Sequence, residues 1–413
     1  MWDILAEQIY RFPVSNWKIN RIRKFMDFAT ERTSKSAWRP MSHQNRILFI
    51  LLRIHLITPF VNVHKNCIYY TLKFAISQLV EKKMCYNINM KYFWNNLPHG
   101  FTILAPMEGV TDVVFRRVVA KAGRPDVFFT EFTNVSSFAS EKGRHDALER
   151  LDIVRDENGE NLETPIVAQI WGKNPDHFAE TAKHLEELGF DGLDINMGCP
   201  DRHVNKAGGG AAMINTPELA IECIERAKAS TNLPVSVKTR LGYTFRDEYL
   251  EWIPLLLNQH LAALTVHLRT RKEMSKVPAH YDLIPEIVAL RDEISPETKL
   301  IINGDIKDLA AAKELSEKYP GVDGFMIGRG VFANPYCFTD HHPSRDELKN
   351  LFLYHLDLFD QRARELESRG SRYPYEPIKH FIKVYFSGFD GAAELRNKLM
   401  ECKSSDELRA ILK

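Results

Sequence analysis

Paired cysteines are missing from this chain. Its six cysteines (Cys67, Cys85, Cys199, Cys223, Cys337 and Cys402) are scattered over 413 residues with no C-x-x-C spacing. That argues against a zinc site or any other metal site and against a disulfide scaffold, and it points to a reducing, cytoplasmic setting. A surplus of charge is missing too: the formal net charge is +1, so a nucleic-acid binder of this composition must gather its basic groups locally. The balance is uneven, because residues 1–100 hold 15 Lys and Arg against 5 Asp and Glu, and the remainder carries an excess of acid. No G-x-G-x-x-G opens the first strand–helix unit, which disfavours a dinucleotide-binding doubly wound sheet. A membrane span is also lacking. The most apolar run, "ILFILLRIHLITPFVNV" (47–63), is short and contains Arg53, His55 and Pro59. An arginine at mid-bilayer costs roughly 2.5–3.5 kcal/mol, so no membrane association is expected.

What is present is a repeat. From residue 102 a short, β-prone apolar run recurs eight times, each followed by a helical pattern. The runs are "TILAP" (102–106), "VFFTEF" (127–132), "PIVAQIWG" (165–172), "GLDINMGCP" (192–200), "PVSVKTRLG" (234–242), "ALTVHLRT" (263–270), "KLIINGDI" (299–306) and "GFMIGRGV" (324–331). Intervening stretches such as "DHFAETAKHLEELGF" (176–190) place apolar residues three and four apart, as an amphipathic helix requires. Continuous apolar strands are buried on both faces, as in a parallel sheet. Eight such units predict an α/β fold, a (β/α)8 TIM barrel over residues 96–338.

Beyond "NPYCF" the pattern turns helical. Ser344 and Glu347 form a capping-box signature ahead of a stripe of Leu348, Leu351, Phe352, Leu356 and Phe359, which opens an expected C-terminal helical domain at residues 341–413. Within it, "EPIKHFIKVYFSGF" (376–389) puts Ile378, Phe381, Ile382 and Tyr385 on one side and Lys379, His380 and Lys383 on the other. Residues 1–95 read as an N-terminal extension. The first strand needs nothing upstream of about residue 92, and Met90 offers a start, so the extension is expected to be dispensable or absent from the functional protein.

A barrel places its chemistry at the C-terminal ends of its strands. Polar residues gather there: Glu108, Glu131, Gln169, Asn196, Cys199, Lys238, His267, Arg269, Asn303, Asp305 and Arg329. The loops after strands seven and eight commonly hold a phosphate. "INGDI" and "IGRG" occupy those positions, with Gly304, Gly328 and Gly330 allowing close backbone approach and Arg329 adding charge. Lys238 suits a negatively charged ring system, and Gln169 suits a flavin ring edge. His267 taken alone fits a structural histidine as well as a cofactor contact, and "APMEG" (105–109) alone fits an ordinary turn.

Taken together, "APMEGVTD", "INMGCPDRHVNKAGGGAAMI", "SVKTRLG", "VHLRT", "INGDI" and "IGRG" resemble, in order and spacing, the tRNA-dihydrouridine synthases. The resemblance covers about residues 100–338, with a looser match through "IKHFIK". It implies an FMN-bearing barrel followed by a tRNA-binding helical domain. It further implies NADPH as the electron donor, hydride transfer from reduced FMN to C6 of a uridine, and a proton from Cys199 to C5. By the same resemblance FMN contacts fall to Pro106, Met107, Glu108, Gln169, Lys238, His267, Asn303, Gly304, Asp305, Gly328 and Arg329. Asn196 falls near the target uridine. Lys379, His380 and Lys383, with Arg362, Arg364, Arg369 and Arg372 nearby, are the candidates for tRNA phosphates, each equally readable as part of a solvated face. No stable protein partner is implied.

A free thiol has a pKa of roughly 8.5 and so keeps its proton at neutral pH, which suits a general acid. The glycines of "KAGGGAA" are expected to let a loop open and close over the base. Two rivals remain: a flavin barrel acting on a free pyrimidine, as dihydroorotate dehydrogenases do, and an RNA-binding protein that has lost catalysis.

Overall fold

The computed structural model describes residues 92–413, apart from 156–160 and 372. The readings made on residues 1–91 and on Arg372 lie outside the described residues.

Each of the eight runs forms a strand: β1 (Phe101–Leu104), β2 (Phe128–Asn134), β3 (Ile166–Trp171), β4 (Gly192–Met197), β5 (Val235–Arg240), β6 (Ala263–His267), β7 (Lys299–Asn303) and β8 (Gly324–Ile327). All pair in parallel in the order β1-β8-β7-β6-β5-β4-β3-β2. A parallel bridge between Ile103 and Val127 joins the two ends, with the amide of Leu104 donating to the carbonyl of Val127 at 3.2 Å. The sheet therefore closes on itself and leaves no unpaired edge.

Alternation along the strands divides the core in two. Inward-facing Phe101, Ile103, Phe129, Val167, Ile301 and Met326 fill the barrel. Trp94, on the short helix Tyr92–Asn96, packs with them and is 1% exposed. Outward-facing Leu104, Val237, Leu264, Leu300 and Phe325 meet the surrounding helices. Those helices are α1 (Val113–Gly123), α2 (Glu141–Arg150), α3 (Pro175–Leu188), α4 (Pro217–Ser230), α5 (Tyr249–Leu257), α6 (Ile284–Ile294) and α7 (Leu309–Lys318). Local signals set their ends. Asn174 caps the amides of Asp176 and His177, Pro175 occupies the first turn of α3, and Gly189 ends that helix at φ +84, where a side chain would be strained.

Helices α8 (Arg345–Ser368), α9 (Ala392–Glu401) and α10 (Ser405–Leu412) follow the barrel. The Ser344–Glu347 capping box opens α8 as expected. Its stripe of Leu351, Phe352, Leu356 and Phe359 is buried, with Leu348 half-buried. This stripe belongs to the same core cluster as the outer faces of the strands. The rings of Phe115 on α1 and Phe381 lie 4.7 Å apart, and each such buried side chain contributes roughly 1.5–3 kcal/mol. Two polar ties bridge the same junction: Arg362 Nη1 to Asp152 Oδ2 at 2.6 Å, and Tyr373 Oη to Asp112 Oδ2 at 2.9 Å. Among the described residues no helix is long and apolar enough to cross a membrane.

Candidate active site

The thiol of Cys199 follows β4 at the C-terminal mouth of the barrel, and a chain of buried amides holds it. Asn196 Oδ1 accepts from the amides of Gly198 (3.1 Å) and Cys199 (2.9 Å). Its Nδ2 donates to Gln169 Oε1 at 3.0 Å. Gln169 Nε2 in turn donates to Asp194 Oδ2 at 2.7 Å, and Ser236 Oγ donates to Asp194 Oδ1 at 2.6 Å. Because the Asp194 carboxylate only accepts, every amide orientation above it is determined. Burial pushes the Asp194 carboxyl up to about 6 against the pull of Ser236, Gln169 and Lys238. It is ionised at neutral pH.

The glycine triplet, expected to form a moving loop, is closely packed in this structure. Gly210 has φ +59, and a Cβ there would sit 2.8 Å from the Cys199 carbonyl oxygen and 3.2 Å from the Cys199 Cβ. A Cβ on Gly209 would sit 2.7 Å from the Trp171 ring. The segment is packed. Ala211 N and Asn205 Nδ2 both donate to the Cys199 carbonyl, at 3.1 and 2.8 Å. Glycine is there because the chain must pass directly over the cysteine backbone. Gly210→Ala should therefore introduce roughly 1–3 kcal/mol of local strain and displace Cys199. Turnover is expected to fall well before the melting temperature does. A Gly210→Ala enzyme with unaltered turnover would contradict this close-packing account.

Lys238 and Arg240 on β5 act on both the thiol and His267, and Arg269 after β6 and Arg329 after β8 add to the field at His267. Lys238 and Arg240 alternate onto the same face of β5. Arg240 Nε donates to the Gly198 carbonyl at 2.7 Å, so it braces the residue before Cys199. Among the described residues the Lys238 ammonium has no ion-pair or hydrogen-bond partner. Desolvation first and then Arg240 lower its pKa to about 8, against the pull of Asp194 and Cys199. His267 is also pushed well below the usual histidine range, by burial first and then by Arg240, Lys238, Arg269 and Arg329. Its imidazole is neutral, and its buried Nδ1 has no partner among the described residues. Burial raises the Cys199 pKa above that of a free thiol, with Lys238 and Arg240 pulling the other way. The sulfur keeps its proton at neutral pH.

The loops after β7 and β8 are organised around Asp305. Its carboxylate accepts from Arg269 Nη2, from Arg329 Nη2 at 3.0 Å and from the Ala279 amide at 3.0 Å. Asp305 itself has φ +56, and Gly304 has φ +120. Asn303 Nδ2 donates to the Met326 carbonyl at 2.8 Å, joining β7 to β8. Gly328 lies beside Ala105 and Met107, and the guanidinium of Arg329 remains largely exposed. Across the mouth, Pro106 and Met107 are half-buried. Glu108 points to Arg150 Nη1 at 2.5 Å. Beneath it, buried Glu131 accepts from the Gly109 amide at 2.6 Å. Desolvation, then neighbouring Asp112, raises its carboxyl to about 7.

This donor set fits FMN. The mouth gathers Lys238, Arg240, Arg269 and Arg329, while the buried His267 Nδ1 and Arg269 Nη1 lack partners. Such a pocket is complementary to a phosphate and an electron-rich ring. Among the described residues, no group of three His, Cys, Asp or Glu side chains is arranged to hold a metal.

Arg240 was missed as a site residue, although its two-residue spacing from Lys238 was available as a signal. The basic residues of the C-terminal segment divide. His380 and Lys383 are exposed, and so are Arg364 and Arg369. Lys379 is largely covered; it pairs with Glu376 at 3.3 Å and lies over the Tyr375 ring. Arg362 is buried against Asp152 and is unavailable to a phosphate, a correction to its listing among the nearby cations.

Comparison with known proteins agrees with this geometry. Residues 103–413 match the family model described as dihydrouridine synthase (Dus). The chain is 53% identical over 323 residues to "Probable tRNA-dihydrouridine synthase 2" of Bacillus subtilis (strain 168), covering 78% of this chain and 95% of that protein. It is 50% identical to "Probable tRNA-dihydrouridine synthase" of Staphylococcus aureus (strain Mu50 / ATCC 700699), covering 78% and 94%. Among solved structures, the old yellow enzyme from Trypanosoma cruzi matches with a TM-score of 0.40 and 14% identity over 61% of this chain and 93% of that one, too loosely to build on. With a matching model over most of its length and relatives identical at half their positions, this chain belongs to the dihydrouridine synthase family.

Proposed function

We propose that this protein reduces uridines in tRNA to 5,6-dihydrouridine, with FMN as its cofactor and NADPH as electron donor. When bound and reduced, FMN supplies a hydride to C6 of the pyrimidine. The remaining chemistry belongs to the chain. Hydride arrival at C6 leaves electron density on C5 and the adjoining carbonyl. Cys199 carries the proton that C5 needs, so the C5–C6 double bond is consumed and the atoms balance. Asn196 fixes the backbone beneath the thiol, and Arg240 fixes it from the other side through Gly198. Lys238 would offset negative charge on the reduced cofactor. Pro106, Met107 and His267 would line its ring, with Gln169, fully buried between Asn196 and Asp194, supporting them from behind, while the loops carrying Asn303, Gly304, Asp305, Gly328 and Arg329 would hold its phosphate. Glu108, turned to Arg150, would act at the edge of that pocket.

A uridine in folded tRNA is stacked or paired, so it must swing out to reach a thiol at the barrel mouth. Exposed His380 and Lys383 are suited to phosphate contacts, and Lys379, largely covered and paired with Glu376, would join them only by releasing that pair. The observation that carries this reading is a cysteine held through its backbone at the barrel mouth beside Lys238 and Arg240.

The test is direct. Purified protein should be yellow and should consume NADPH in step with dihydrouridine formation in unmodified tRNA, and free uracil or dihydroorotate should not turn over. Turnover of the free pyrimidine without tRNA would favour the rival flavin barrel, and a colourless protein that still binds tRNA would end the enzymatic reading.

A further inference from the structure

Two loops at the barrel mouth carry an exposed platform that the chemistry above leaves unused. The loop after β5 bears Phe245, 64% exposed, and the loop after β6 bears Met274, 44% exposed. Large apolar groups held in water at a site's rim mark a contact surface. The platform is built. The amides of Arg271 and Lys272 donate to the carbonyls of Gly242 (2.9 Å) and Tyr243 (3.0 Å), clamping the two loops together. Glu248 accepts from the amides of Tyr243 (2.5 Å), Thr244 (3.1 Å) and Phe245 (2.8 Å). Arg240 reaches up to the Met274 carbonyl at 3.2 Å with the same guanidinium that holds Gly198. Platform and cysteine loop thus share one anchor.

The charges on these loops are unevenly matched. Glu248 is occupied by the amides just named. Glu273 accepts from the Thr270 amide at 2.7 Å and pairs with His280 at 2.9 Å. Arg246 pairs with Asp282 at 3.3 Å. Arg271, Lys272 and Lys276 make no ion pair among the described residues, although Asp247, Glu248 and Glu273 lie on the same two loops. Two of these cations lie over rings: Arg271 is 5.2 Å from the Tyr243 centroid, and Lys272 is 5.9 Å from that of Phe245. An exposed ring flanked by cations that make no ion pair is complementary to a base followed by its phosphates.

We propose that this platform seats a nucleotide flanking the target uridine, with its base stacked on Phe245 and its phosphates facing Arg271, Lys272 and Lys276. The proposal rests on the reading of the protein as a tRNA reductase and adds where the RNA strand runs. A base drawn from its stack leaves its neighbours unstacked, and a ring at the rim replaces part of that lost stacking.

Phe245 projects into solvent, so the full-length Phe245→Ala protein should fold normally. Its affinity for unmodified tRNA, titrated at several salt concentrations, should weaken by about 10-fold, within the range expected for loss of one stacked base. Its salt dependence should be unchanged. Lys272→Ala and Lys276→Ala should each lower the logarithmic salt slope by about one. In all three variants, flavin reduction by NADPH without tRNA should match wild type. If wild type binds tRNA and Phe245→Ala binds it equally well, the platform assignment fails alone. Weakened NADPH use with unchanged tRNA affinity would overturn it in favour of a dinucleotide site. If wild type binds no tRNA, the functional reading fails and the platform with it.

Discussion

Cys199→Ala should retain its fold and its yellow cofactor yet lose turnover by roughly 10²- to 10⁴-fold, the contribution of a well-placed general acid. The side chain is small and the loop beneath it is held through backbone atoms. Asn196 binds the Gly198 and Cys199 amides, while Asn205 and Ala211 bind the Cys199 carbonyl. Alanine keeps all four bonds and removes only the proton donor. Oxidation of the reduced flavin by tRNA in a single turnover reads this step apart from NADPH binding. Reduction of the flavin by NADPH should be untouched, and dihydrouridine formation at a near-normal rate would remove Cys199 from the mechanism.

The pH profile follows from the same group. A proton donor works in its protonated form, so its contribution is complete below its pKa and is lost as pH rises through it. Burial raises the Cys199 pKa, which keeps the thiol intact through neutrality. Lys238 is lowered to about 8, so its positive charge also fades on the alkaline side. The single-turnover rate should be flat near neutrality and decline above about pH 8, and Cys199→Ala should lose the thiol's share of that decline.

Arg116→Met should cost the fold about 3–5 kcal/mol, the usual penalty for leaving one partner of a buried ion pair alone. Arg116 is fully buried on α1. Its guanidinium forks onto Glu163, Nε to Oε1 at 2.7 Å and Nη2 to Oε2 at 3.2 Å. It also donates to the carbonyls of Thr111 (2.9 Å) and Asp152 (2.7 Å). Methionine fills the volume but strands the Glu163 carboxylate, which is itself 3% exposed. The damage should spread, because Asp152 is also the partner of Arg362 on α8. Denaturant midpoints would show the loss. The double variant Arg116→Met/Glu163→Gln should recover part of it by removing the stranded charge. A single variant as stable as wild type would contradict the ion-pair account.

The strands were legible because each is a short apolar run bounded by polar residues or glycine, and burial on both faces makes such runs continuous. The capping box at Ser344 was legible because its two residues lie three apart and meet within one turn. Cys199 stood out through its neighbours in sequence, and Lys238 through its place at a strand end. Arg362 could not be read correctly. Its helix shows an arginine among charged residues, while the partner that buries it lies 210 positions away. The glycine triplet has a role that sequence alone did not show. Flexibility is the usual inference from three glycines, and only the path of the chain over the Cys199 backbone shows that close contact is their purpose.

From its residues alone, this protein is an eight-fold β/α repeat with a cysteine loop after the fourth strand and a helical tail, since periodicity and capping are local properties. Folding alone decided which charges survive. It paired Asp305 with two arginines, left Lys238 without a partner among the described residues, neutralised His267 and kept the Cys199 proton in place. Charge states depend on burial and on partners distant in the chain, and those distances exist only once the barrel has closed.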